Sequence, residues 1–258
     1  MAERNVMQGD FLKFLGTAGA RFVMIKQLRH SGGIWVSSHN TNVLIDPGPG
    51  SLVRCLASRP KLDPSKLDAI ILTHRHIDHC NDVNVMIEAM TEGGHTKRGA
   101  VFCPADALEG DPVVFKYSRA YVEKVVVLEE RTCYREKKFA FQTSMHHIHP
   151  SLTFGLKFKL NGRTVGLMTD TRSFKELKEF YKVHTLIMSV VFPEPRPGID
   201  HLSLVEAADL IKILKPKRAI LTHFGMRMLA AKPHLQAQRL TQELGIEIIA
   251  ATDGMTIV

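Results

Sequence analysis

The chain has 258 residues, 45% of them hydrophobic, and a formal charge of +8. That length and apolar content suffice for a full core, and layered α/β proteins of this size are commonly one domain, so we expect a single domain over residues 1–258. No stretch approaches the roughly eighteen consecutive apolar residues of a membrane-spanning helix, and MAERNVMQGDFLKFLG carries charges where a secretory signal needs an apolar run, which argues against a membrane protein and makes the cytoplasm the default.

In chain order, FLKFLGTAGA, GGIWVSSH and TNVLIDPGPG are short β-prone runs punctuated by glycine or proline, an expected antiparallel meander. From Leu67 onward, apolar strands followed by helical periodicity predict a layered α/β protein with helices outside a sheet. Residues 69–82, AIILTHRHIDHCND, crowd His74, His76, Asp78 and His79 together. Imidazole and carboxylate are the ligands of borderline and hard divalent metals, so this cluster is a candidate metal site, with a polar surface turn as the plain alternative. Cys55, Cys80, Cys103 and Cys133 lack CxxC or zinc-finger spacing and read as reduced thiols; Cys80, beside the cluster, reads first as a packing residue.

Further along, SMHHIHPSLTFGLKF offers His146, His147 and His149. On an extended segment His147 and His149 would share a face and line one pocket, while His146 would point away in a structural role. TVGLMTD reads as a buried strand ending at Asp170, and SFKE, Ser173 to Glu176, as a capping box opening the helix FKELKEFY. SLVE, Ser203 to Glu206, is a second capping box, which leaves His201 just ahead of the helix LVEAADLIKIL. KRAILTHFG at 217–225 repeats the Ile-Leu-Thr-His of LDAIILTHRH at 67–76, which suggests two comparable half-sheets delivering His74 and His223 to one edge. Residues 224–258 read as one helix, PHLQAQRLTQELG, and a terminal hairpin turning at TDG. The polar candidates all stand where apolar strands stop, and in open α/β sheets the carboxyl ends of strands converge on ligands. His30, His39, His95, His184 and His234 lack such a context and read as surface or packing residues.

His74-Arg-His76-Ile-Asp78-His79 is an HxHxDH motif, and with it the chain resembles the metallo-β-lactamase fold superfamily. That family's order is an early Asp, HxHxDH, a later His, a later Asp and a final His. Asp46, the cluster, His149, Asp170 and His223 fill those places across essentially the whole chain. The resemblance implies a four-layer αββα sandwich of two mixed β-sheets flanked by helices. It also implies two divalent metal ions, zinc first, with manganese, iron or nickel as alternatives. His74, His76 and His149 would hold one ion and Asp78, His79 and His223 the other, with Asp170 bridging and Asp46 orienting ligands from behind. The spacing fits, because residues two apart on an extended segment point the same way and the turn through Asp78 and His79 reaches a second ion. The family's third histidine precedes a Thr-Phe-Gly segment as HPSLTFG does, which favours His149 and keeps His147 in reserve. Phosphodiesterase relatives carry a histidine before the last ligand, and DHLSLVEAADLIKILKPKRAILTHFG resembles that stretch. By this resemblance His201 binds substrate and donates a proton, and it stands with Asp78 as the catalytic residues; a helix-flanking surface residue is the alternative.

Two bridged ions activate water and stabilise a phosphoryl oxygen, so the expected activity is hydrolysis of a phosphodiester, with His201 serving the leaving group. The resemblance is nearest to the cyclic phosphodiesterase of the carbon-phosphorus lyase pathway and to tRNA 3'-processing endonucleases. The interval from His149 to Asp170 is too short for the long RNA-clamping arm of many tRNA-processing relatives, so a small anionic phosphodiester is the expected partner and RNA the second. The dispersed positive charge fits either. The extra cysteine/histidine cluster of some small-substrate relatives is missing, so substrate identity does not transfer. Glyoxalase-type thioester hydrolysis is disfavoured by the short segment after His223. A non-catalytic metal- or nucleic-acid-binding module of the same fold is the remaining alternative, against which the complete ligand set weighs, and a homodimer is left open.

Overall fold

The computed structural model describes residues 9–19 and 21–258. Their strands form two seven-stranded sheets. The first contains β1 (Phe11–Phe14), β2 (Ile34–Ser38), β3 (Thr41–Ile45), β4 (Ala69–Ile71), β5 (Ala100–Cys103) and β6 (Lys124–Val127). The second contains β7 (Cys133–Glu136), β8 (Phe139–His146), β9 (Phe154–Leu160), β10 (Arg163–Met168), β11 (Thr185–Ser189), β12 (Arg218–Thr222) and β13 (Glu247–Ala250). The last strand, β14 (Thr256–Ile257), returns to the first sheet beside β1.

Each half begins antiparallel, through β1–β2–β3 and β7–β8–β9–β10, and continues parallel, through β3–β4–β5–β6 and β10–β11–β12–β13. The expected half-sheet likeness is therefore present. The repeated Ile-Leu-Thr-His is nonetheless out of register with it. The strand that begins the parallel part is β3 in one half and β10 in the other, so Asp46 and Asp170 occupy equivalent ends, whereas β4 is one strand beyond this point and β12 is two.

Strand alternation divides the apolar residues between two faces. Leu12, Phe14, Val36, Ile45 and Ile71 of the first sheet meet Phe141, Leu156, Phe158, Leu167, Ile187 and Ile220 of the second, forming the layer between the sheets. The opposite faces take the helices. Phe11, Leu15, Trp35 and Leu44 pack against Cys55 of α2 (Ser51–Ala57) and Met86, Ile87 and Met90 of α4 (Val83–Met90). Leu186, Met188, Ala219 and Leu221 pack under Leu177 of α5 (Leu177–Phe180), Leu210 and Ile211 of α6 (Leu204–Leu214) and Leu240 of α8 (Pro233–Leu244). The result is the αββα sandwich. The central parallel strands β4, β5, β11 and β12 are buried on both faces, which is why they read as apolar runs rather than alternating ones, while the edge strands β6 and β13 are partly exposed. The other helices are α1 (Phe22–Ile25), α3 (Ile77–Cys80) and α7 (Met226–Ala230). No helix among the described residues is long and apolar enough to cross a membrane.

Two local expectations fail. Ser173 makes no cap, and α5 starts only at Leu177. The Thr171 hydroxyl accepts from the Ile148 N–H at 3.2 Å and the Arg172 N–H donates to the Ile148 carbonyl at 3.2 Å, so the chain after Asp170 runs along residues 147–148 instead of coiling at once. The C-terminal segment is not a hairpin either. The turn at 252–254 passes the chain from β13 in one sheet to β14 in the other, because β13 adds to the parallel side of β12 while β1 has a free edge.

Candidate metal centre

The loops after β3, β4, β8, β10, β11 and β12 deliver all the candidate residues to one edge of the sandwich. His74 follows β4, and the short helix α3 turns Asp78 and His79 inward behind His76, whose backbone is extended. Gly48 makes this possible: a Cβ there would lie 2.0 Å from the Asp78 carbonyl oxygen, so only glycine lets the Pro-Gly-Pro-Gly loop approach α3. Asp46 and His223 sit in left-handed backbone, φ 53° and 61°, conformations that non-glycine residues adopt at a cost and that cluster at functional sites.

Two groups of potential ligand atoms divide the cluster, each within 4.8 Å, His74, His76 and His149, and Asp78, His79, Asp170 and His223; two more overlap them, Asp46, His74 and His79, and His149, Asp170 and His201. His149 Nε2 lies 2.9 Å from His76 Nδ1, and His79 Nε2 lies 3.0 Å from His223 Nε2. Asp170 joins the groups, with Oδ2 3.8 Å from His74 Nε2 and 3.5 Å from His79 Nε2. Asp78 Oδ2 is 3.2 Å from His223 Nε2.

The far side of three rings explains their orientation. His79 donates through Nδ1 to Asp46 at 2.9 Å, and His149 donates through Nδ1 to the Asp200 carbonyl at 3.0 Å. His74 Nδ1 meets Thr73 Oγ1 at 3.1 Å, while that hydroxyl donates to Asp46 at 2.6 Å and the Thr73 N–H donates to the other Asp46 oxygen at 2.7 Å. Each ring therefore turns its Nε2 into the cluster, the arrangement that prepares histidine to ligate. Asp46 thus accepts hydrogen bonds from the His79 ring and from both the hydroxyl and the N–H of Thr73. His147 differs. Its Nδ1–H donates to the Asp170 carbonyl at 3.2 Å and its Nε2 accepts from Tyr181 Oη at 2.7 Å, so no lone pair remains for an ion. The extended segment ends at His146, which is exposed, so the expected shared face of His147 and His149 does not form and His147 does not line the pocket.

Burial and charge act on the cluster together. Desolvation drives the His74 pKa well below its usual value, helped by the neighbouring His79. His79 titrates well above the usual range because Asp78, Asp170 and Asp46 outweigh its burial. Burial raises the Asp78 carboxyl, but His79 and His223 overcome it and hold the group at about 2. Asp170 is held low in the same way, by His223, His201 and His79 against burial.

The residues fit a metal on structural grounds. His74 Nε2, Asp170 Oδ1 and His223 Nδ1 are buried without a hydrogen-bond partner, and buried polar atoms in that condition are costly unless something else satisfies them. Nitrogen and carboxylate donors in this number suit zinc and its neighbours. His201 stands beside the cluster, with Nδ1 3.6 Å from Asp170 Oδ2 and its ring 5.1 Å from that of His149. His76, His149 and His201 are only partly buried, and they mark the open side.

Several supporting residues carried no recognised sequence signal. Thr73 precedes a ligand candidate in the repeated Ile-Leu-Thr-His, which was a usable clue. Tyr181 and the Gly16–Gly19 strap gave none. The Phe224 N–H donates to the Thr17 carbonyl at 2.9 Å and the Gly19 N–H donates to the Phe224 carbonyl at 3.0 Å, which clamps the residue after His223.

The β-lactamase superfamily domain model matches residues 41–224. The chain belongs to this family. Members of the superfamily are metal-dependent hydrolases. An uncharacterised protein of Methanocaldococcus jannaschii is 30% identical over 255 residues, covering 95% of this chain and 93% of the relative. Among solved structures, the metallo-β-lactamase fold protein YhfI of Bacillus subtilis superposes with a TM-score of 0.78 at 18% identity, over 97% of this chain and 99% of its own. A diphosphatase from the PhnP family gives 0.74 at 21% identity, over 96% and 97%. The short form of human tRNase Z gives 0.69 at 18%, over 96% and 98%. At these identities the three structures share the fold.

Proposed function

We propose that this β-lactamase superfamily chain is a phosphodiesterase using two divalent ions, zinc first, on a small anionic diester. The observation that carries this reading is His201, whose buried Nδ1 has no hydrogen-bond partner and faces Asp170 on the open side of the cluster. His74, His76 and His149 would hold one ion and Asp78, His79 and His223 the other, with Asp170 between them. Bound there, the ions would lower the pKa of a water and offset charge on a phosphoryl oxygen. Asp46 and Thr73 keep the ligand nitrogens aimed inward, and Tyr181 and His147 hold the Asp170 backbone from behind. His201 carries the proton that a departing alkoxide needs, a larger requirement for an alkyl diester than for an ester with a stabilised leaving group.

One further feature favours a small substrate: the span between His149 and Asp170 is taken up by the β9–β10 hairpin. The PhnP-family diphosphatase is consistent with phosphorus chemistry on this fold, and tRNase Z is the neighbour that speaks for RNA.

The decisive experiment compares a dialkyl phosphodiester with bis-p-nitrophenyl phosphate in the zinc-loaded wild type and His201→Ala. We expect roughly a hundredfold to ten-thousandfold loss on the alkyl ester, much less on the nitrophenyl ester, and unchanged metal content. Equal losses on both esters would remove the proton-donor role. Cleavage of precursor tRNA without turnover of either diester would replace the small-substrate reading with the endoribonuclease one.

A further inference from the structure

A second cleft, of about 320 Å³, opens between β1, the end of α2 and the turn at Asp253–Gly254. Its lining includes Lys13, His30, Arg54, Arg59 and Asp253, none of them in the metal cluster.

The charges in this cleft do not balance. Lys13 is only 4% exposed, yet its ammonium donates to neutral acceptors alone, the Arg59 carbonyl at 3.2 Å and Thr256 Oγ1 at 3.1 Å. Among the described residues no carboxylate lies within 4.0 Å of the charged nitrogens of Lys13, Arg54 or Arg59. Arg54 instead donates to His30 Nε2 at 2.7 Å. Asp253 is already engaged, accepting from Thr17 Oγ1 at 2.7 Å and from the His30 N–H at 2.9 Å. Three cations against one carboxylate leave a formal charge of two. A covered ammonium without a counter-ion is unfavourable, and burial lowers the Lys13 pKa accordingly.

We propose that this cleft binds the phosphate group of a small molecule. The excess of two positive charges matches a phosphate dianion better than a carboxylate, and guanidinium groups match phosphate geometry through paired N–H donors. The volume is that of a small-molecule site and exceeds what a bare anion fills, so a phosphate monoester is the expected form. The reading stands apart from the chemistry at the metal cluster and survives if that chemistry proves different.

Calorimetric titration of the zinc-loaded full chain with glycerol 3-phosphate, inorganic phosphate and acetate tests it. Phosphate also has affinity for metal ions, so the informative quantity is the difference between wild type and the variants Arg54→Gln and Lys13→Met. Each variant should lose one equivalent of bound glycerol 3-phosphate per chain, or bind it at least tenfold more weakly, while hydrolysing bis-p-nitrophenyl phosphate at the wild-type rate. Arg54 is partly exposed, so Arg54→Gln decides the matter if Lys13→Met fails to fold. Tighter binding of glycerol 3-phosphate than of inorganic phosphate supports a monoester site, and the reverse order supports a site for free phosphate; both support the phosphate assignment. Wild-type stoichiometry and affinity in both variants would overturn it, as would acetate binding as tightly as phosphate.

Discussion

His147 and His149 stand two positions apart, yet the protein engages both ring nitrogens of the first and leaves one nitrogen of the second facing the cluster. The burial of His147 also ties stability to pH. Burial pushes its pKa down to about 4 from 6.5, so the folded protein keeps it neutral where an unfolded chain would take up a proton. The resulting stabilisation is complete above pH 6.5 and is lost as pH falls toward 4, by roughly 3 kcal/mol in full. Urea unfolding at pH 7 and pH 5 should therefore show a steeper acid loss in the wild type than in His147→Gln, and parallel losses would exclude this role. Sequence could rank the two histidines through the following Thr-Phe-Gly, but it could not show that Tyr181, 34 positions away, supplies the bond that disqualifies His147. Gly155 belongs to the same device, because a Cβ there would lie 1.6 Å from Tyr181 Oη. Gly155→Ala must displace Tyr181, and we expect a loss of about 1–3 kcal/mol in thermal or urea unfolding together with weaker zinc retention.

Among the elements, α6 and α5 show when a capping pattern can be trusted. Ser203 Oγ accepts from the Glu206 N–H at 3.2 Å while Glu206 accepts from the Ser203 N–H at 2.8 Å, and the helix begins where the sequence placed it. Ser173 carries the same signature and caps nothing: residues 171–172 are held along Ile148, and the helix begins only at Leu177. Tertiary hydrogen bonds outweigh a local preference worth about 1 kcal/mol. Ser203→Ala should cost about 1 kcal/mol in urea unfolding and, by loosening the turn that holds His201, lower turnover of an alkyl diester more than that of a nitrophenyl diester. Loss of stability with an unchanged ratio of the two rates would show that His201 is held independently of the cap. The strand ends bearing Asp46, His74, Asp170 and His223 were legible because buried parallel strands are apolar throughout and stop at their first polar residue. The Gly16–Gly19 strap was not, since Thr17 meets Asp253 across 236 positions and neither residue advertises the other.

At the scale of the whole molecule, the cluster draws on both sheets. His74, His76, Asp78 and His79 come from the first, and His149, Asp170 and His223 from the second. Without ions, two buried carboxylates and several nitrogens that lack partners share one low-dielectric edge, and only the charges of His79 and its neighbours hold the carboxylates ionised. The proposed ions would therefore tie one sheet to the other as well as serve the reaction. A ligand bound only by the folded state stabilises it by about 2.7 kcal/mol at a hundred times its dissociation constant, and 1 kcal/mol moves the melting temperature of a chain near this size by roughly 2–4 °C. Exhaustive chelation should therefore lower Tm by roughly 5–10 °C, and added zinc should restore it. Asp170→Ala removes the contact between the two groups, so its Tm should respond less to chelation than that of the wild type. His146→Ala, on the exposed end of β8, should respond as the wild type does. A melting temperature indifferent to chelation in all three proteins would mean that no ion joins the sheets, and the orphaned nitrogens of His74 and His223 would then need another partner.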